Sequence, residues 1–381
     1  MSMNEDPIAS ALALQDEIRG YAVEIEAARQ LPASLVTRLR EAGLFHTNVP
    51  VDYGGLQSDP VTTCRVIEAV SAADGSAGWC LMIAAQNAAF AGFVEPSEAR
   101  AIWGDGGIVG GSARPIGRAT KEGEGFRVSG RWPFASGSSH VTTFAGECLL
   151  YEDGEVVKDE SGNTPSFFAF VPREQCTVHD TWHTTGLRGT ASNDYSVEDV
   201  FVPARRFVAF HEPRHDWPMY RSLALIFTTH GAQALGIADA AIASTIGIAK
   251  EKIGWGTDRP MTENTRLQGQ LAEALVLVAS ARELLHGATR RLWEALERGE
   301  EPGILNARVR LASSHAATAS VRAVDLMYAA MATSAIFTKS PLERQFRDIH
   351  TAAAHVMVGP LTYEAAGRVE MGLPAGMAFF E

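Results

Sequence analysis

The sequence has few cysteines, no excess of basic residues and no uninterrupted apolar run of membrane-spanning length. Its four cysteines lie far apart without Cys/His ligand spacing, so they indicate neither a zinc site nor a disulfide framework, and a reducing cytoplasm fits. A net charge of −12 leaves no basic field for nucleic-acid phosphates or anionic membranes. The most apolar stretch, Leu223 to Ala249, is interrupted by polar residues, which favours a buried helix. We therefore expect a cytoplasmic protein without nucleic-acid or membrane partners.

Several catalytic and nucleotide-binding motifs are also missing. The chain has no G-K-S/T phosphate loop, no G-x-S-x-G turn and no His-Glu-x-x-His pair, so hydrolase and kinase functions lack support. The glycines between Gly104 and Gly117 follow a helical pattern and do not form the strand, G-x-G-x-x-G and helix unit that holds a pyrophosphate. A nicotinamide site is therefore not expected.

The periodicity of apolar residues changes twice along the chain. Residues 1–105 show the three-to-four spacing of amphipathic helices, with prolines at helix starts and glycines past helix ends. Residues 106–216 show short alternating stretches separated by turn residues, which predict a small antiparallel sheet or barrel. Residues 217–381 are helical again, with helices predicted at about 222–252, 262–299, 303–337 and 341–371, and four long helices suggest a bundle.

This order of segments carries local stretches that resemble the acyl-CoA dehydrogenase superfamily over nearly the whole length. Together, and in this order along the chain, these stretches are more specific for the superfamily than any one of them alone. They are Ser76-Ala77-Gly78-Trp79, Gly130-Arg131-Trp132-Pro133-Phe134-Ala135-Ser136-Gly137, Gly186-Leu187-Arg188-Gly189-Thr190, Val200-Phe201-Val202-Pro203 and Arg347-Asp348.

The resemblance implies a fold and an assembly. It implies an α+β protein with an N-terminal helical domain (1–105), a central antiparallel β-barrel (106–216) and a C-terminal four-helix bundle (217–381). It also implies a homotetramer in which the bundle packs against its copies. The flavin would lie between barrel and bundle, at an interface between domains.

The dehydrogenases of this superfamily need a carboxylate that removes the proton α to a thioester carbonyl. In the commonest arrangement this Glu lies eight residues after the Asp of the Arg-Asp pair, which here is Val356, and the alternative position falls near Ile226. Neither residue is acidic. A dehydrogenase function would therefore need a displaced base.

His355 instead lies eight residues after Arg347, where the oxygenating branch of the superfamily has a histidine. That branch comprises the oxygenase components of two-component flavin monooxygenases, which take reduced FMN or FAD from a separate flavin reductase and oxygenate small organic substrates with dioxygen through a C4a-hydroperoxyflavin. Since the chain lacks a nicotinamide motif, the resemblance implies such a reductase partner and a substrate that we expect to be aromatic. His355 would donate a hydrogen bond to the reacting oxygen or deprotonate a substrate hydroxyl.

The resemblance also assigns residues to the cofactor and the substrate, although a structural explanation is available for each. Ser136, in a turn with Gly137, would bond the flavin near N5 or O4, while Trp132 and Phe134, on one strand face by alternation, would stack on flavin or substrate unless they form core. Asn87 stands where phenol-hydroxylating relatives often have a second histidine, so it would orient the substrate, whose class stays open. The remaining assignments are Ser112 at the pyrimidine edge, Lys252 at a phosphate, Gln268 at the far end of the cofactor and Trp79 at the substrate.

Two alternatives stay open on the sequence alone. One is a dehydrogenase-type flavin oxidoreductase, and the other is a protein that keeps the flavin fold for binding or assembly without chemistry. Oxygen transfer by the purified chain would separate the oxygenase from both.

Overall fold

The computed structural model describes residues 6–210, 213–254, 256, 258–377 and 380. The N-terminal part is helical, as the periodicity predicts. Its helices begin at favourable caps: the Asp59 side chain accepts hydrogen bonds from the first turn of one helix, which has Pro60 at its first position, and the Asp74 side chain caps the next. The helices are α1 (Pro7–Ala13), α2 (Gln15–Gly20), α3 (Ala22–Ala28), α4 (Ala33–Glu41), α5 (Pro60–Ser71), α6 (Gly75–Asn87) and α7 (Pro96–Trp103).

Eight strands follow and form one sheet. They are β1 (Val109–Glu122), β2 (Gly125–Ala135), β3 (Thr143–Glu152), β4 (Glu155–Val156), β5 (Ser166–Pro172), β6 (Thr177–His179), β7 (Asn193–Pro203) and β8 (Phe207–Val208). Their order is β6-β7-β2-β1-β3-β5-β8, with β4 paired to β3.

The sheet corrects one expectation from the sequence. It is mixed rather than purely antiparallel, because β1 pairs with β2 in a hairpin while β3 lies parallel to β1 on its other side. It is also open, since β6 and β8 form its two ends. Alternation in single strands cannot distinguish these arrangements, because it records which face is buried and not which strand lies alongside.

The C-terminal part is built from α8 (Thr228–Glu251), α9 (Thr265–Glu297), α10 (Ile304–Met331), α11 (Pro341–Ala353) and α12 (Pro360–Glu370). The segment Leu223–Glu251 is long and apolar enough to cross a membrane by length and composition, but 61% of its most apolar window is buried in the protein, as in a core helix. The prediction of one long helix at 341–371 is wrong, because the structure has two helices there. The first ends at Ala353 and the second begins at Pro360, because proline cannot donate to the preceding turn of a helix.

The loop between β6 and β7 joins the three parts of the chain. Gly186 lies against the backbone of α11, so closely that a Cβ atom would overlap the carbonyl oxygen of Arg347. The Leu187 N–H, one residue later, donates to Asp348 Oδ1 at 2.6 Å. Gly189 lies against Ile25 and Ser76 of the N-terminal helices. The Gly186–Thr190 stretch therefore packs where the N-terminal helices, the sheet and the bundle meet.

Candidate active site

His355 lies two residues past the last residue of α11, outside any helix. This corrects the helical position expected from the sequence. It precedes a short 3₁₀ turn, Val356–Val358, and its Nδ1 accepts the Met357 N–H at 3.3 Å. Burial, and then the charge of Arg310, lower the pKa of His355 to about 4. The ring is therefore neutral near pH 7, and because Nδ1 accepts, the proton resides on Nε2.

His230, on the first turn of α8, is a partner of His355 that the sequence analysis missed. The two rings stack with centroids 4.4 Å apart and planes 27° apart. His230 is 3% exposed, neither ring nitrogen has a hydrogen-bond partner in the described part of the chain, and burial holds its pKa well below the ordinary value. The one signal in the sequence was that His230 is among the polar residues that interrupt the apolar Leu223–Ala249 stretch.

Trp79 links this histidine pair to the sheet. Its ring meets both imidazoles edge-on at centroid distances of 5.6 Å. Its Nε1–H donates to Ser136 Oγ, 3.0 Å away, at the end of β2. The predicted residues Trp79, Ser136 and His355 are thus brought together from three separate parts of the chain.

Ser136 belongs to a chain of buried hydroxyls. Ser136 Oγ lies 2.7 Å from Ser192 Oγ, which lies 2.7 Å from Thr190 Oγ1. Thr190 donates its hydroxyl proton to the carbonyl of Leu187, so the donors run from Ser136 to Ser192 to Thr190. Ser136 Oγ then accepts from Trp79, donates to Ser192 and keeps one lone pair free as an acceptor.

The two aromatic residues before Ser136 do not share a strand face, contrary to the expectation from alternation. Trp132 is 1% exposed, stacks on Tyr195 at 5.1 Å inside the sheet and donates to the Glu147 carbonyl. Phe134 is 57% exposed, because its left-handed φ of 64° accompanies an irregularity in the pairing of β2 with β7. Trp132 is therefore core, whereas Phe134 is exposed two residues from Ser136, with the Arg114 guanidinium over its ring at 5.6 Å.

Three other predicted residues lie in the turn after β2, on α6 and on β1. Gly137 adopts φ of 78° and donates its N–H to the Thr190 carbonyl, which fixes the turn after Ser136. Asn87, at the last turn of α6, is half-buried and donates to the Ile83 carbonyl. Ser112 is half-buried on β1, where the pairing with β3 becomes irregular. No bond or ring contact described for Asn87 or Ser112 joins them to the histidines.

Lys252 and Gln268 lie at the other end of the bundle. Lys252 follows the last residue of α8, whereas His230 lies in its first turn, so the rise of a helix separates them by about 33 Å. The Lys252 ammonium contacts the Ser334 hydroxyl, and the exposed Gln268 side chain donates to the Thr262 carbonyl. Their predicted roles require a cofactor that extends along the bundle.

The surroundings of the histidines contain no carboxylate in the described ranges that affects their pKa. The causes that lower the pKa values are burial and Arg310, with His355 adding to the effect at His230. Val356 is 52% exposed and Ile226 is buried, and both are apolar. The base that a dehydrogenase needs is therefore missing from both family positions.

The residues present fit a reduced flavin. The exposed Phe134 ring offers an apolar contact for a planar heterocycle on the side not covered by Arg114. The free acceptor lone pair of Ser136 suits an N–H of the reduced ring system, and the Nε2–H of His355 suits an oxygen. Ser136, Gly137 and Phe134 would hold the ring on the sheet side, with His355 on the bundle side.

Comparison with known proteins agrees with this geometry. Two family models match the chain: the acyl-CoA dehydrogenase N-terminal domain at residues 11–95 and the acyl-CoA dehydrogenase C-terminal domain at residues 228–360. An indole-3-acetate monooxygenase of Pseudomonas putida is 30% identical over 369 residues, covering 94% of this chain and 92% of that protein. The oxygenase component of an FADH(2)-dependent resorcinol hydroxylase of Rhizobium sp. strain MTP-10005 is 27% identical, covering 92% and 90%.

A solved structure extends the likeness to three dimensions. The crystal structure of 3-HSA hydroxylase from Rhodococcus sp. RHA1 matches with a TM-score of 0.89 and 27% identity, covering 97% of this chain and 98% of that one. The fold and the site thus define a flavoprotein of the acyl-CoA dehydrogenase family, to which this chain belongs. Within that family it falls in the flavin-dependent monooxygenase branch, as His355, eight residues after Arg347, predicts.

Proposed function

We propose that this chain is the oxygenase component of a two-component monooxygenase that inserts one atom of dioxygen into an aromatic substrate. The observation that carries the proposal is the partly buried His355 ring beside Trp79 and His230, whose Nδ1 accepts the Met357 N–H and whose Nε2 has no described hydrogen-bond partner. Reduced FMN or FAD, when bound, supplies the electrons that activate dioxygen. The relatives named above are monooxygenases and hydroxylases, which supports this reaction class.

The chain's own residues have distinct tasks in this reaction. Ser136 and Gly137 orient the cofactor ring at the end of β2, and Trp79 holds Ser136 from the other side through its indole N–H. The Nε2–H of His355 donates a hydrogen bond to the reacting oxygen, while its Nδ1 is held by the Met357 N–H. His230 and Trp79 cover the His355 ring, which keeps water from its faces.

The proposed two-component reaction also requires a reductase partner. A two-component oxygenase receives its reduced flavin from another protein, and we propose a transient flavin reductase for this chain. The chain acts in a reducing cytoplasm, which its four free cysteines support.

We further propose a homotetramer, supported by exposed apolar side chains on α9 such as Val276 and Leu284, and sedimentation of the purified chain tests it.

A coupled assay with isotopically labelled dioxygen tests the oxygenase. The chain is mixed with NADH, FMN or FAD, a panel of phenols and indoles, and a flavin reductase. We expect one labelled oxygen atom in the product, and NADH oxidation only when the reductase is present. Rapid NADH oxidation by the chain alone, or unlabelled product, contradicts the proposal.

The dehydrogenase alternative has its own control. Acyl-CoA thioesters are added to the chain with oxidised flavin in the absence of oxygen, and the flavin absorbance is followed. We expect no bleaching, because neither Val356 nor Ile226 can accept the α-proton. Bleaching by any thioester of the panel would favour a dehydrogenase with a displaced base.

A further inference from the structure

Arg310, on α10, is a buried cation without a counter-ion in the described ranges. Its side chain is fully buried, and its Nε and Nη1 have no hydrogen-bond partner there. Nη2 faces only the carbonyl oxygen of Met357 at 3.4 Å and its sulfur at 3.3 Å. Buried guanidinium groups are normally paired with carboxylate or phosphate, so two free nitrogens call for an anion.

The surroundings of Arg310 supply apolar contacts rather than charge. The guanidinium lies over the rings of Phe227 at 4.3 Å and Phe380 at 5.0 Å. Burial lowers its pKa to about 10, and no carboxylate of the described residues acts in the opposite direction. The group therefore stays charged at neutral pH while the described part of the fold leaves that charge unpaired.

Arg310 adjoins the two histidines by ring contacts. The Phe227 ring lies parallel to the His230 ring, with planes 8° apart and centroids 6.4 Å apart, and His230 stacks on His355. Met357, which Nη2 of Arg310 faces, lies two residues after His355. The unpaired charge is thus next to the reactive centre and not at a remote surface.

We propose that Arg310 binds the carboxylate of the substrate, so that the substrate is an aromatic acid whose ring lies against the histidines. The inference rests on the proposed function, since it places the substrate beside His355. A carboxylate can bond Nε and Nη1 together in the two-pronged arrangement that a guanidinium favours. Anchored in this way, the aromatic ring of the acid is held in one orientation toward the oxygen.

Paired probes test this binding site in the full-length chain. Phenylacetate is compared with phenylacetamide, and indole-3-acetate with indole-3-acetamide, by equilibrium dialysis without oxygen and with reduced FMN present. We expect at least one carboxylate to bind about tenfold or more tightly than its amide, the effect of a charged hydrogen bond. Arg310→Gln should abolish that preference and Arg310→Lys should keep part of it. A wild-type chain without preference, or an equal preference in Arg310→Gln, overturns the proposal.

Two controls separate a binding role from a structural or cofactor role. Arg310→Gln removes an unpaired buried cation, so its melting temperature should equal or exceed that of the parent, while loss of the folded state would indicate a structural residue. The affinity for reduced FMN should stay within a factor of about two. A tenfold loss of that affinity would identify the cofactor phosphate as the anion and overturn the proposal.

A third measurement needs no variant and no knowledge of the substrate's shape. Crystals of the wild-type chain are soaked in bromide, and anomalous scattering locates the bound ions. We expect a bromide within bonding distance of Nε and Nη1 of Arg310, and its absence there contradicts an anion site. These measurements involve no oxygen transfer, so their failure is distinguishable from failure of the coupled assay.

Discussion

The imidazole of His355 has one nitrogen engaged and one free, which defines what its removal should do. Substitution by Ala removes the free donor but leaves Trp79 and Ser136 in contact. Truncation of a partly buried side chain typically costs about 1–3 kcal/mol in the free energy of unfolding, so the fold should persist. A positioned acid or base contributes about 10²–10⁴-fold in rate, so oxygen transfer should suffer far more.

For His355→Ala we therefore expect reduced flavin to be consumed while hydrogen peroxide appears in place of product. The yield of product per flavin oxidised measures this loss. His350→Ala is the matched control, because His350 lies on α11 and pairs with Asp325 at 2.9 Å. A normal yield in His355→Ala, or an equal loss in both variants, would make His355 structural. If His355→Ala is insoluble, His355→Asn takes its place.

At the scale of elements, the Gly186–Thr190 stretch connects the fold to the site. Gly186→Ala would press a methyl group against the backbone of α11, which cannot move away as a flexible side chain could. We expect a loss of about 1–3 kcal/mol in the free energy of unfolding, measured with denaturant. Gly247→Ala, on an exposed and open position of α8, is the control and should be neutral or stabilising by up to about 1 kcal/mol. Equal effects of the two substitutions would refute the packing role.

The sequence predicts the elements better than their junctions. Helices α4, α5, α9 and α10 follow from apolar spacing, with proline at the starts of α4 and α5, because both signals are local. The break between α11 and α12 was also readable from Gly359 and Pro360, but the helical spacing on either side concealed it. The parallel pairing of β1 with β3 was not readable, since it depends on contacts between distant segments.

The site was predictable only where family motifs exist. Ser136 and His355 follow from such motifs, and the structure brings them together through Trp79. His230 and Arg310 were not found, because each is one of several polar residues in a helical pattern and nothing local distinguishes it. Their significance appears only when unpaired nitrogens can be counted in three dimensions.

At the scale of the whole molecule, one buried acid ties the three parts together and should make stability depend on pH. Burial, and then the nearby Asp74, raise the pKa of Asp348 to about 7. The folded state therefore binds this proton more tightly than the unfolded state. The resulting stability is complete below the unfolded pKa of 3.8 and is lost as the pH rises through about 7.

Asp348→Asn should keep the acceptor for the Leu187 N–H and remove the titration. We expect the variant to gain stability over the parent as the pH rises from about 4 to about 8, reaching roughly 1–4 kcal/mol. Unfolding in denaturant across buffers of different pH measures the difference, in which the shared effect of the buried histidines cancels. Asp16→Asn, at a side chain that is 98% exposed, controls for the lost charge. A gain that shrinks toward high pH would reverse the assigned direction.

The distribution of the site along the chain has a consequence for synthesis. Trp79 and Ser136 leave the ribosome long before His355, and the Gly186–Thr190 stretch has no α11 to pack against until Arg347 and Asp348 emerge. At typical translation rates, about 15–60 s separate the appearance of Trp79 from that of His355. During that interval the nascent chain has its sheet but no catalytic imidazole. The site is therefore completed only when α11 and the turn after it have emerged, and product formation has to wait for that segment.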